Sequence, residues 1–156
     1  MGQLNFLRRF ISNLAGKVKV FSELLKLKEE EEFRWEPRHQ KAFEAIKLYL
    51  TRPPVLTPPI KGKALKLYIS ATEESIGALL AQDNEQGREQ AVYYLSRLLT
   101  QVEFRYTSIE KLCLALYFSA IKLRHYMLPV LVYLMRQTDL IKYLLSRPIM
   151  RGQIGK

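Results

Sequence analysis

The spacing of apolar residues changes from a helical to a strand-like period near residue 60. Before this point, apolar residues recur every three or four positions and predict three helices. The first ends at Gly16, the second runs from about Val18 to Lys28, and the third begins at Pro37. The first should bury Leu4, Leu7, Phe10, Ile11 and Leu14, and the third Ala42, Phe43, Ile46 and Leu50.

A proline-rich connector follows these helices. Residues 52–63 contain four prolines and one glycine, and proline in element interiors breaks both helices and central strands. The sequence therefore predicts a boundary at this connector. Residues 1–60 would form a small helical segment with its linker, and residues 61–156 a second domain.

Beyond the connector the period is two, which is typical of half-buried strands. Strands are predicted at Leu65–Ser70, Ile76–Gln82 and Ala91–Leu95, and short turns between them favour an antiparallel meander. A long buried helix should run from about Ser108 to Leu128, followed by a strand at Val130–Met135 and a helix from Asp139. The expected fold class is α/β, with three antiparallel strands and then a helix, a strand and a helix.

Composition narrows the class of partner. The 156 residues include 25 Lys and Arg against 15 Asp and Glu, a formal net charge of +10, and this excess of positive charge favours a polyanionic partner such as nucleic acid. Neither a membrane-spanning stretch nor a signal peptide is recognisable, so an intracellular protein, cytoplasmic or nuclear, is expected. Cys113 stands alone in an apolar run and should be a small buried residue.

Several blocks of the chain resemble gypsy-class LTR-retrotransposon polyproteins of the plant type. The resemblance rests on Asn5–Ile11, on Phe33 and Trp35 before the third helix, on Ile76–Leu80, on Tyr93–Arg97, and on Glu103, Tyr106, Glu110 and Lys111. In that family, residues 1–60 would correspond to the thumb and connection of a reverse transcriptase. Residues 61–156 would form an incomplete RNase H-like mixed sheet, truncated at its C-terminal end.

The resemblance also implies which residues occupy the catalytic positions. Active RNase H enzymes hold two divalent cations with carboxylates. Aligned with that motif, Ser70 and Gln137 stand where the family has Asp, and Glu110 is the only family carboxylate retained. Because neutral Ser and Gln oxygens cannot balance two dications, the chain is expected to be a non-catalytic connection module, and no cofactor is expected.

Two other interpretations remain open. A weak nuclease could use Glu110 and Asp139 with Mg²⁺ or Mn²⁺, with Glu73 and Glu74 as further possible substitutes for the lost Asp. A domesticated nucleic-acid-binding protein could use the same fold without any parent polyprotein. Glu110 also has a purely structural interpretation, because Thr107 to Glu110 has the spacing of a helix capping box.

Phosphate contacts are expected from basic residues around the start and outer face of the long helix, namely Arg97, Arg105, Lys111 and Arg124. Solvated helix charges are the alternative for these four residues. His39 and His125, each without a second ligand at metal spacing, should be surface or packing residues. The expected partners are an RNA–DNA hybrid or DNA duplex, together with an upstream polymerase palm and downstream domains of the parent polyprotein.

Overall fold

A four-stranded mixed sheet forms the centre of the molecule. The computed structural model describes residues 9–24, 26–27, 32–51 and 55–135. Its strands are β1 (Leu65–Ala71), β2 (Ser75–Asp83), β3 (Glu89–Leu98) and β4 (Val132–Met135), in the spatial order β3-β2-β1-β4. The first three strands form the expected antiparallel meander, and β4 lies parallel to β1. The α/β fold class predicted from the sequence is confirmed.

Helices connect β3 to β4 across one face of the sheet. Helix α3 (Ser108–Lys122) and the short helix α4 (Arg124–Met127) stand where one continuous helix to Leu128 was expected. That expectation is wrong at Leu123, whose backbone leaves the helical region at φ −103° and ψ 14°. The Leu123 side chain nevertheless remains 1% exposed in the core.

The main hydrophobic core lies between the sheet and α3. Alternate residues of β1, namely Leu65, Leu67 and Ile69, face α3 and meet Leu112 and Ala115 there. Burying one such leucine side chain stabilises a fold by roughly 1.5–3 kcal/mol. The expectation that Leu112 and Leu123 belong to the core is confirmed, and Leu116 packs partly buried against it.

The chain before residue 24 differs from the predicted pair of helices. Helix α1 (Leu14–Val18) contains Gly16 instead of ending there, and a 3₁₀ turn follows at Lys19–Ser22 where a longer helix was expected. The reason lies at Asn13, whose side-chain oxygen accepts a hydrogen bond from the Gly16 backbone N–H and so starts the helix. Leu4 and Leu7 lie outside the described residues.

Helix α2 (Pro37–Thr51) begins and ends as predicted, but its expected buried stripe is wrong. Of the four stripe residues only Ile46 is buried, whereas Phe43 is 49% exposed. His39 is instead 1% exposed and packs beside the Trp35 ring at 5.6 Å between ring centres.

The helix predicted from Asp139 lies outside the described residues. Within the described ranges, no helix is long and apolar enough to cross a membrane.

Candidate functional site

Ser70 stands in a row of small residues across the sheet. Direct strand partners place their side chains on the same face, and Ser70 is paired with Gly77, which in turn is paired with Ser96. This face is opposite to the one that packs on α3, because the neighbouring Ile69 points into the core. The small side chains leave room for the chain segment that crosses them.

That segment is the stretch around α1. Ser75 donates its hydroxyl proton to Asn13 Oδ1 at 3.0 Å, and the Ala15 backbone N–H donates to Ser96 Oγ at 3.2 Å. A cavity of 130 Å³ remains beside Ser70, with Ser12 and Asn13 on its other side. Ser70, at the expected Asp position, therefore remains exposed beside a neutral, hydrogen-bonded segment, a neighbour that the sequence does not predict.

The two glutamates that follow β1 are both paired with lysines. Glu73 is bound by the ammonium group of Lys111 at 3.3 Å, and Glu74 forms an ion pair with Lys19. Lys111 is only 5% exposed, so it does not lie on the outer face of the long helix as expected. Its amine also donates to the Glu73 backbone carbonyl at 3.2 Å and so holds the start of α3 against the β1–β2 turn.

Arg97 is engaged by a third carboxylate at the same end of the sheet. Its two terminal nitrogens each donate to one oxygen of Glu103 at 2.7 Å. The guanidinium group of Arg97 and the Thr100 backbone N–H hold the pKa of Glu103 at about 2. The other side of Arg97 lies over the Phe118 ring, 5.2 Å from its centre.

Glu110 takes part in the capping box at the start of α3. The Thr107 backbone N–H donates to Glu110 Oε2 at 2.9 Å, while the Thr107 hydroxyl oxygen accepts from the Glu110 backbone N–H. This arrangement satisfies two of the N–H groups that the first turn of a helix leaves unpaired. The structural interpretation of Glu110 is confirmed, and its catalytic role stays a prediction.

The described part of this edge does not fit a pair of divalent cations. Hard cations select several carboxylate oxygens, whereas Ser70 is neutral and Glu73, Glu74 and Glu103 are paired with cations. No three His, Cys, Asp or Glu side chains among the described residues are placed to share one metal ion. Gln137 and Asp139 lie outside the described residues.

The four expected phosphate contacts do not converge on one place. Arg97 and Lys111 lie near the end of β1 and are paired, and Arg105 is exposed just before α3. Arg124 is exposed at the opposite end of α3, roughly 20 Å away for a 15-residue helix at 1.5 Å per residue.

A larger groove lies at that opposite end, where β1 begins. It encloses 320 Å³ and is walled by the connector turn at Lys61–Lys63 and by the segment from His125 to Val130. Gly62 has a φ of 79°, which allows the tight turn. From the sequence alone, these residues are expected to form a plain connector, with His125 as a surface or packing residue. The sequence contains one signal that could have indicated this groove, the pair of lysines on either side of Gly62.

Solved structures of a viral reverse transcriptase share this fold. The foamy viral protease-reverse transcriptase in complex with dsDNA superimposes with a TM-score of 0.76 at 23% identity, covering 94% of this chain and 30% of that one. The same viral protein in complex with an RNA/DNA hybrid gives a TM-score of 0.73 at 23% identity, covering 95% of this chain and 20% of that one. At this identity the likeness describes the fold alone.

Sequence relatives are retrotransposon polyproteins. The transposon Tf2-3 and Tf2-4 polyproteins of Schizosaccharomyces pombe are each 30% identical over 127 residues. The match covers 81% of this chain but only 9% of each polyprotein. Residues 35–132 match the family model described as the RNase H-like domain found in reverse transcriptase, a match that crosses the domain boundary predicted near residue 60. The chain belongs to this family of reverse-transcriptase RNase H-like domains.

Proposed function

We propose that this chain is a non-catalytic RNase H-like module of a gypsy-class retrotransposon reverse transcriptase, working inside the cell and binding the nucleic-acid duplex beside the polymerase. The observation that carries the proposal is the arrangement of side chains at the edge of the sheet around Ser70, where active family members have the first catalytic Asp. Exposed Ser70 lines one small cavity with Asn13, and nearby Glu73 and Glu103 each bind a cationic side chain. Among the described residues of this edge, Glu73, Glu74 and Glu103 are each paired with a cationic side chain, which argues against metal-dependent cleavage.

Charge and exposure support the binding part of the proposal. The chain has a net charge of +10, and Arg105 and Arg124 are exposed and form no ion pair with any described residue. Arginines of this kind can bind phosphate oxygens through two N–H groups. The viral proteins that share the fold were solved with dsDNA and with an RNA/DNA hybrid, which favours a duplex as the ligand.

The test measures binding and cleavage on one substrate. A labelled RNA–DNA hybrid is incubated with the purified chain in Mg²⁺ or Mn²⁺, with and without EDTA. We expect binding that weakens steeply with salt, because phosphate contacts release counterions, and no metal-dependent cleavage. Arg105→Ala should weaken binding about three- to tenfold, whereas Lys47→Ala on the exposed face of α2 should change it less than about twofold.

The outcomes separate the rival functions. EDTA-sensitive cleavage that disappears in Glu110→Ala would establish a residual nuclease and overturn the non-catalytic proposal. Absence of hybrid binding at low salt would contradict both the connection module and the domesticated binding protein. Equal loss of binding in Arg105→Ala and Lys47→Ala would reduce the interaction to a general effect of net charge.

A further inference from the structure

The groove at the start of β1 has the volume of a small-ligand site and an apolar inner surface, called its floor below. Its 320 Å³ lies at the lower end of the roughly 300–1,000 Å³ found for such pockets. Apolar surface comes from Ile60, Leu65, Pro129 and Val130. This floor suits the flat, apolar part of a ligand rather than a bare ion.

The groove is lined by basic side chains, beside the amide of Gln82 and the ring of Tyr126. Lys61, Lys63 and His125 line it, and no acidic side chain is among the described residues that do so. Lys63 donates to the Asn84 carbonyl at 2.8 Å, so its position is fixed. Lys61 and His125 are exposed, and their side chains have no hydrogen-bond or ion-pair partner among the described residues. A ligand with a negative charge near the rim would therefore meet the unpaired ammonium group of Lys61 and the imidazole of His125.

The groove walls are held in place by a buried amide. Gln82 is 4% exposed, accepts from the Ile60 N–H at 2.6 Å, and donates to the carbonyls of Ile60 and Lys63 at 3.2 and 2.9 Å. On the opposite wall, the Tyr126 ring packs against Tyr93, 5.9 Å between ring centres. The cavity is thus preformed, which reduces the ordering cost of binding.

This groove is distant from the edge of the sheet around Ser70. Ser70 lies five residues along β1 from Leu65, a separation of roughly 16 Å at 3.3 Å per residue. At the Ser70 end, carboxylates and cations neutralise each other, as in the Glu73–Lys111 pair. Unpaired positive charge lies at both ends of α3, with Arg105 at its start and Lys122 and Arg124 at the groove end, all exposed without an ion pair to any described residue.

We propose that the groove binds a nucleotide, with the phosphate at Lys61 and His125 and the base or sugar on the apolar floor. The nucleotide could be free or one unit of a single nucleic-acid strand. Both sources present the same chemistry, a phosphate joined to a flat ring system. Arg105 stands at the opposite end of α3, so a strand that reached both places would have to run the length of the helix.

The test uses the whole chain, ¹⁵N-labelled, titrated with dTMP and separately with a (dT)₆ oligonucleotide. Amide signals of Gly62, Lys63, His125 and Tyr126 should shift, and those of Gly77 and Thr72 should not. Shifts with both probes identify a free-nucleotide site, and shifts with (dT)₆ alone identify a strand site. If neither probe shifts the amide signals of the groove, the proposal is overturned.

Two variants separate charge from shape. Lys61→Glu should weaken (dT)₆ binding about tenfold at low salt, whereas Lys47→Glu, an equal charge change on exposed α2, should weaken it about twofold or less. Ile60→Trp fills the groove without changing its charge and should also block binding, after a melting curve shows that it is folded. Equal effects of both lysine variants, or full binding by Ile60→Trp, would contradict the proposed site. Hybrid binding through Arg105 would remain testable in either case.

Discussion

Arg97 and Glu103 join the end of β3 to the 3₁₀ turn Glu103–Arg105, which precedes α3, through two parallel hydrogen bonds of 2.7 Å each. The pair is mostly shielded, with 23% and 15% of the two side chains exposed. Two-point pairs between a guanidinium and a carboxylate have a fixed geometry and are stronger than neutral hydrogen bonds. The start of α3 is therefore fastened to the sheet by a pair that requires an ionised Glu103.

Stability should fall in acid as Glu103 is protonated. Its pKa is lowered from 4.5 to about 2 in the folded chain, first by the Arg97 hydrogen bonds. A carboxyl group whose folded pKa is depressed contributes its full stability above the unfolded pKa and loses it as pH falls towards the folded pKa. Glu103→Gln should cost about 1–3 kcal/mol at pH 7.

The measurement is urea unfolding of both proteins between pH 7 and pH 2.5. The difference in unfolding free energy should remain constant down to about pH 5 and shrink steadily between about pH 4.5 and pH 2.5. Glu85→Gln, in the exposed turn after β2, is the control and should show little difference at any pH. A pH-independent penalty for Glu103→Gln would mean that its ionisation is not what stabilises the turn.

Much of the sheet could be predicted because its residues follow local rules. Leu65, Leu67 and Ile69 alternate with polar residues, and this period alone gives the strand and its buried face. Thr107 and Glu110 likewise have the residue types and the spacing of a capping box. The fold class and the strand order along the chain followed from such patterns.

The arrangement around Ser70 at the end of β1 depends on contacts between residues far apart in sequence. Asn13 contacts Ser75 across 62 positions, and Lys111 contacts Glu73 across 38. No local period encodes such pairs. The exposure of Phe43 was missed for a similar reason, because a helical stripe predicts a buried face only when another element is present to cover it.

Glu110 should behave as a helix cap rather than as a metal ligand. Glu110→Ala should lower the free energy of unfolding by about 0.5–2 kcal/mol, and Thr107→Ala by a similar amount. Glu110→Gln should retain most of the stability, because glutamine also accepts the hydrogen bond of a capping box. Thermal melting of the three variants is the measurement, and a glutamine variant as unstable as the alanine variant would show that charge, not capping, matters.

Gly77 should be required because of its neighbour Ser70. A Cβ atom at Gly77 would lie 3.1 Å from Ser70 Oγ and 3.4 Å from the Leu95 carbonyl oxygen. Gly77→Ala should therefore cost about 1 kcal/mol or more through crowding, even though replacing glycine restricts the unfolded chain. In a Ser70→Ala background the crowding atom is absent, and the cost should drop.

A double-mutant cycle isolates this contact, because the unfolded-state effect of Gly77→Ala is the same in both backgrounds. We expect a coupling energy of about 0.5 kcal/mol or more between positions 70 and 77. Gly87→Ala, at a turn with open space around it but a positive φ, is a control that should cost stability without any coupling to Ser70. Zero coupling at positions 70 and 77 would refute the crowding explanation.

Gln82 should hold the connector against the sheet. Gln82→Leu removes one acceptor and the donor group, leaving the Ile60 N–H and the carbonyls of Ile60 and Lys63 without this partner. The Ile60 carbonyl keeps the Lys63 N–H as a donor, so two backbone groups lose their partner. At about 1–3 kcal/mol for each unpaired buried group, reduced by solvent access at the turn, the total should be about 2–3 kcal/mol. Because the groove wall depends on the same turn, (dT)₆ binding should weaken as well.

Hydrogen exchange resolves the local effect. The Ile60 amide should exchange at least about tenfold faster in Gln82→Leu than in the unchanged chain, while the Leu67 and Leu80 amides of the sheet should change only with global stability. Gln90→Leu, at the strand position paired with Gln82, is the matched control and should leave Ile60 protected. If Ile60 kept its protection in Gln82→Leu, packing of the neighbouring prolines rather than the Gln82 amide would hold the connector in place.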